Sequence, residues 1–162
     1  MKQSLWTSVA TAIAVLVALA PAAHGAEEPT RESFVAQAEP ICERSTRLVK
    51  GILEGAKEKV DDDRLPPAGR QFIRASAAFG SAIQQIAAIP RPPADDARLL
   101  KWLKFLRIVK TRVANIGKAL REEDRIRAEH ESIRAEQSGN ATNNVGFVFE
   151  FRSCRLTRSQ FR

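Results

Sequence analysis

Cys42 and Cys154 are the only two cysteines in this 162-residue chain, and no other side chains have as much chemical consequence. Thiols can pair, ligate a metal or attack as nucleophiles. Neither belongs to a Cys-x-x-Cys pair, the usual dithiol redox arrangement, and no Cys-x-x-Cys-His is present to attach haem. The histidines are His24 and His130. His130 lies among Glu123, Glu129 and Glu131, and such a mixture on a helix is ordinarily a solvated face, so no metal and no other cofactor is expected. There is no Gly-x-Ser-x-Gly elbow and no phosphate-cradling glycine loop. Glu122 and Glu123 are adjacent and would point different ways on a helix. No catalytic residue is assigned, and the chain is not expected to be an enzyme.

The first residues say where those thiols act. Lys2 gives a positive start, Val9 to Ala20 an apolar run, Pro21 a break, and Ala23-His24-Gly25 a small-x-small cleavage site. Residues 1–25 are read as a signal peptide cut after Gly25, with Ala26 as the alternative. A membrane-spanning helix needs roughly 20 apolar residues, and this run is shorter. The expected location is periplasmic or extracellular, where thiols oxidise, so Cys42 and Cys154 are expected to form a disulfide.

Charge points to the class of partner. The chain carries 26 Lys+Arg against 19 Asp+Glu, a formal charge of +7, and cleavage removes only Lys2 from that balance. A basic exported protein meets anionic lipid head groups, wall polymers and acidic proteins. The partner expected is an anionic envelope component or another exported protein, with nucleic acid a poor fit to that compartment. The same excess of charge also serves solubility alone.

The segment after the leader, about 137 residues, suffices for one compact domain. Apolar residues recur at spacings of three and four, the helical period, and no β alternation persists. The first stretch runs Phe34, Ala38, Ile41, Ser45, Leu48, Ile52, continuing to Ala56 and Val60. Pro40 within it implies either a helix start nearby or a kink. Asp61-Asp62-Asp63 and Pro66-Pro67 separate it from a second stretch through Phe72, Ser76, Phe79, Ile83 and Ile86, rich in small residues that admit a close neighbour. Asp95 and Asp96 provide an acidic start to a third stretch, Leu99 to Leu120. Its broad apolar face, including Trp102, Phe105 and Ile108, predicts the most buried helix, with Lys101, Lys104, Arg112 and Lys118 outside. Asp124 would cap a fourth helix, supported by Glu123–Arg127 pairing, that continues past Ser138-Gly139-Asn140 towards Cys154; a break at Gly139 is the alternative.

Long helices joined by short loops turn back on themselves. The expected fold is all-α, an up-down-up-down four-helix bundle over residues 30–154, closed by one disulfide. In that topology the start of the first helix lies beside the end of the fourth, where the two cysteines fall.

Two short patterns carry a resemblance. Phe34-Val35-Ala36-Gln37-Ala38-Glu39-Pro40-Ile41-Cys42 looks like Phe-x-x-x-Ala-x-x-Ile-Cys, and Phe149-Glu150-Phe151-Arg152-Ser153-Cys154 looks like aromatic-Gly-Phe-x-x-Cys. Together they resemble a group of small exported bacterial helical proteins without assigned function, many of them lipid-anchored. The resemblance implies the bundle and the disulfide, not an activity. Glu150 stands where that pattern has glycine, and no lipid-acceptor cysteine follows the leader.

Two regions are candidate binding surfaces. Trp102, Phe105 and Ile108 would either line a groove or form ordinary core. The tail, residues 155–162, carries Arg155, Arg158 and Arg162 with Leu156 and Phe161, a basic arm for an anionic surface or a frayed terminus. Leu156-Thr157-Arg158-Ser159-Gln160 also resembles the Leu-Thr-x-x-Gln motif of periplasmic helical stress chaperones, in a single copy. The function expected is an exported, non-enzymatic interaction module of the envelope, with a chaperone-like client or small-ligand binder as the alternative.

Overall fold

A computed structural model describes residues 28–157, which contain helices and no strands. The expected leader and cleavage site, and Arg158 and Arg162, lie outside the described residues. Four long helices, α1 (Arg31–Leu53), α3 (Leu65–Ala87), α4 (Asp96–Arg121) and α5 (Arg125–Gly146), are joined by short connections, with a six-residue helix, α2 (Ala56–Asp61), between the first two.

Helix α1 begins with a capping box: the Thr30 hydroxyl accepts from the Ser33 N–H, and the Ser33 hydroxyl accepts from the Thr30 N–H. Its buried stripe is Phe34, Ala38, Cys42, Ser45, Val49 and Leu53, at helical spacing. Pro40 lies inside the helix, not in its first turn, and is exposed, so the carbonyl that it leaves without a donor can meet water. The expected run to Val60 does not occur. Gly55 takes a left-handed conformation (φ 67°) and breaks the helix. Gln71 of α3 then donates its side-chain amide to the Ile52 and Glu54 carbonyls, both at 2.8 Å, satisfying backbone acceptors that the break exposes.

Helix α3 starts at Leu65, about two turns before its apolar stripe becomes evident at Phe72, with Pro66 and Pro67 in the first turn, where a missing N–H costs nothing. Helix α4 is the central element. It packs against α3 on one side and α5 on the other, and buries Leu99, Trp102, Leu103, Leu106, Val109, Val113, Ile116 and Leu120. Asp95 does not cap it through its side chain; that carboxylate receives the Arg31 guanidinium at 2.7 and 2.8 Å.

Helix α5 is capped by Asp124, which accepts from the Arg127 N–H at 2.9 Å, and it runs unbroken through Gly139. The expected Glu123–Arg127 pair is absent: Glu123 sits in the turn (φ 57°), and Arg127 pairs with Glu122 and Asp124. The helix ends at Gly146, before Cys154. A single 3-10 turn, Phe147–Phe149, and a left-handed Glu150 (φ 51°) redirect the chain into a non-helical segment. The disulfide therefore joins α1 to this C-terminal segment, not to the last helix as the sequence suggested.

That segment has a structural task. Helices α1 and α5 scarcely touch each other directly. The chain from Glu150 to Thr157 bridges them. The Glu39 carboxylate on α1 accepts the backbone N–H groups of Arg152 (2.7 Å) and Ser153 (2.8 Å). Cys154 bonds to Cys42. On the α5 side, Asn143 uses its amide both ways, accepting from the Leu156 N–H at 2.9 Å and donating to the Leu156 carbonyl at 2.7 Å.

Candidate functional site

The residues first picked out for binding are dispersed. Trp102 is 1% exposed, its ring stacked on Phe151 with centroids 4.7 Å apart, and Phe151 lies 5.4 Å from Phe149. The Arg31 guanidinium covers the Phe149 ring at 5.5 Å while bound to Asp95, closing the series. Gly146 makes room for it: a Cβ there would lie 3.0 Å from the Trp102 Nε1. Trp102 is thus core, and Phe105 and Ile108 are half-buried on α4.

Around the outer edge of this aromatic series lies an open cleft of about 470 Å³, with Trp102 and Phe151 among its lining and Phe147, Arg152 and Arg155 at its surface. Phe147 is 77% exposed. Of the tail, Arg155 and Thr157 are exposed, whereas Leu156 is held by Asn143 and rests beside Gly139. The start of the tail is therefore fastened, not frayed.

Chemistry in these places is sparse. His130 is exposed, and among the described residues no group of His, Cys, Asp and Glu is arranged to hold a metal. The buried Glu131 serves structure. Burial alone would push its carboxyl up, but Arg112, Asn115 and Arg134 donate to it and hold it below the ordinary carboxylate value. Arg112, expected outside, is thereby tied to α5.

A larger surface emerges where α3 and α4 lie side by side. From Arg64 to Arg121 the only acids are Asp95 and Asp96, and these are occupied by Arg31 and Arg91. The same span presents Arg70, Arg74, Lys101, Lys104, Arg107, Lys118 and Arg121, all exposed, and Lys110, half-buried. None of these eight forms an ion pair among the described residues. Lys104, Arg107, Thr111 and Lys118 follow the three- and seven-residue spacings that align side chains along one helix face. The acids lie elsewhere, with Glu32, Glu39 and Glu43 on α1, Glu58 and Asp61 on α2, and Glu129, Glu131 and Glu136 on α5.

Along most of its length this face carries positive charge without an acid on either helix, and acids adjoin it at the Arg121 end, where Glu122 and Glu123 follow; such a surface is suited to anion binding. The sequence reading noted Lys101, Lys104 and Lys118 but missed the partnership with α3. The signal that could have found it is the absence of acids from Leu65 to Ala94 and again from Ala97 to Arg121. Comparison with protein-family models, curated proteins and solved structures yields no significant match.

Proposed function

We propose that this protein is an exported, non-enzymatic interaction module of the cell envelope, an up-down-up-down four-helix bundle that binds an anionic component through its α3–α4 face. The observation that carries the reading is the surface bearing Arg74, Lys104, Arg107, Lys118 and Arg121, formed by two stretches, Leu65 to Ala94 and Ala97 to Arg121, that contain no acid. The leader-like residues 1–25, the bonded Cys42 and Cys154 and the likeness to small exported bacterial helical proteins support an oxidising location. Cosedimentation of the secreted protein with anionic envelope fractions at physiological salt tests it. Lys104→Gln/Arg107→Gln should weaken binding, whereas Arg44→Gln/Lys50→Gln on α1 should not. Failure to bind any anionic component would defeat it.

A second reading, a client or small-ligand binder, draws on the exposed Phe147 at the mouth of the open cleft. On that reading Phe147→Ser abolishes capture of an unfolded apolar client, while α3–α4 substitutions leave it unchanged.

A further inference from the structure

We infer that the α3–α4 face takes a linear phosphate-bearing polymer, laid along the seam between the two helices, and not a flat anionic bilayer; this rests on the reading of that face as the binding surface. Three observations favour the polymer.

The first is where the apolar residues are. A helix that lies on a membrane presents an apolar face to the acyl chains beside its cationic one. Helices α3 and α4 turn their apolar faces inward, and the only large apolar side chain that they leave exposed is Leu100, at 45%. Nothing else of that kind is available along their length for insertion.

The second is the form of the charged surface. The two helices meet closely enough that the stems of two cations lie across small residues of the seam. Lys110 packs against Gly80, its Cε 3.4 Å from where a Cβ would stand, and Arg121 packs against Gly69. With Arg74 on one flank and Lys104, Arg107 and Lys118 on the other, the charge forms an elongated track. Lys104 to Lys118 alone covers roughly 21 Å at 1.5 Å per residue, more than one head group would occupy. The arginines supply planar forks that match phosphate oxygens, and the lysines supply point charge.

The third is the lack of a stacking platform. Proteins that hold single-stranded nucleic acid stack bases on aromatic rings. On α3 and α4, Phe72 and Trp102 are buried and Phe79 and Phe105 are half-buried. The face can read a chain through its phosphates alone.

The test uses the secreted protein and inorganic polyphosphates of increasing length, with phosphatidylglycerol vesicles as the competing arm. Affinity should rise with chain length and level off once the chain spans the face. With about six phosphates engaged, log K should fall with log salt at a slope of about −4, or roughly 250-fold between 50 and 200 mM. Lys104→Gln/Arg107→Gln/Lys118→Gln should reduce that slope by about 2, whereas Arg44→Gln/Lys50→Gln should not change it. Triphosphate binding as tightly as long chains would overturn the linear mode. Vesicle binding without polyphosphate binding would overturn the inference while sparing the broader reading of the face. Absence of both would remove the two together.

Discussion

Gly69 on α3 and Gly117 on α4 meet backbone to backbone: a Cβ on Gly69 would lie 2.5 Å from the Gly117 carbonyl oxygen, and a Cβ on Gly117 would lie 2.7 Å from the Gly69 carbonyl oxygen. Neither neighbour is a flexible side chain that can swing away. The crossing sets how closely the two most cationic helices approach and thus the spacing of charge on their shared face. Gly69→Ala and Gly117→Ala should each destabilise the fold by about 1–3 kcal/mol through overpacking. Gly51→Ala on α1, where a Cβ meets nothing within 4 Å, should instead stabilise it by about 0.5–1 kcal/mol through helix propensity. Urea melts of the three variants check the contrast.

The C-terminal segment is held by covalent and non-covalent fastenings that should separate experimentally. The bond between Cys42 and Cys154 spans a sequence separation of 112. Its removal in Cys42→Ser/Cys154→Ser should lower stability by about 4–5 kcal/mol, chiefly by freeing the unfolded chain. Trp102 should keep its blue-shifted emission in that variant, because Glu39 and Asn143 still hold the segment that places Phe151 over it. Adding Glu39→Ala removes the acceptor for two backbone N–H groups, costs about a further 1–3 kcal/mol and should shift the emission to the red.

Glu150 occupies the left-handed region at φ 51°, a conformation that favours glycine. A side chain there costs about 1–2 kcal/mol in backbone sterics, partly offset because glycine loses more freedom on folding. Glu150→Gly should therefore stabilise the protein by about 0.5–1 kcal/mol, read as a rise in Tm, with Phe151 and Cys154 undisturbed.

Two buried carboxylates govern the response to acid. Hydrogen bonds from Arg31 outweigh burial and hold Asp95 below its ordinary value; at Glu131 burial opposes, and the Arg112, Asn115 and Arg134 bonds prevail. A lowered folded-state value means that the contribution is complete above the unfolded carboxylate range and is lost as pH falls through the folded value. Tm should be nearly level from pH 7 to about 5 and fall below about 4. Asp95→Asn should lower Tm at pH 7, since Arg31 loses its partner, yet make the acid limb shallower.

How far the sequence reached can be judged from particular residues. The recurrences Phe34-Ala38-Ser45 and Leu99-Leu103-Leu106 announce their helices because the helical period is local and needs only neighbouring residues. Yet α1 buries Cys42, Val49 and Leu53 where Ile41, Leu48 and Ile52 were expected, and Leu48 is exposed. Asp124 was legible as a cap for the same reason. The break at Gly55 was missed because Ala56 and Val60 keep the apolar rhythm across it; only the left-handed turn and the Gln71 hydrogen bonds reveal the interruption. The end of α5 was missed similarly, since Phe147, Val148, Phe149 and Phe151 are apolar while the backbone changes course at Glu150.

By itself, then, the sequence determined that the chain is helical, which residues are basic and which stretches lack acids, because these are properties of composition and short spacing. The tertiary structure alone decided that Glu39 would hold the backbone of Arg152 and Ser153, that Arg31 would find Asp95, and that the cations of α3 would join those of α4 on one face. Those relations join residues tens to more than a hundred positions apart. Polar side chains take whatever partners the packing of apolar faces brings near, and a local pattern carries no record of them.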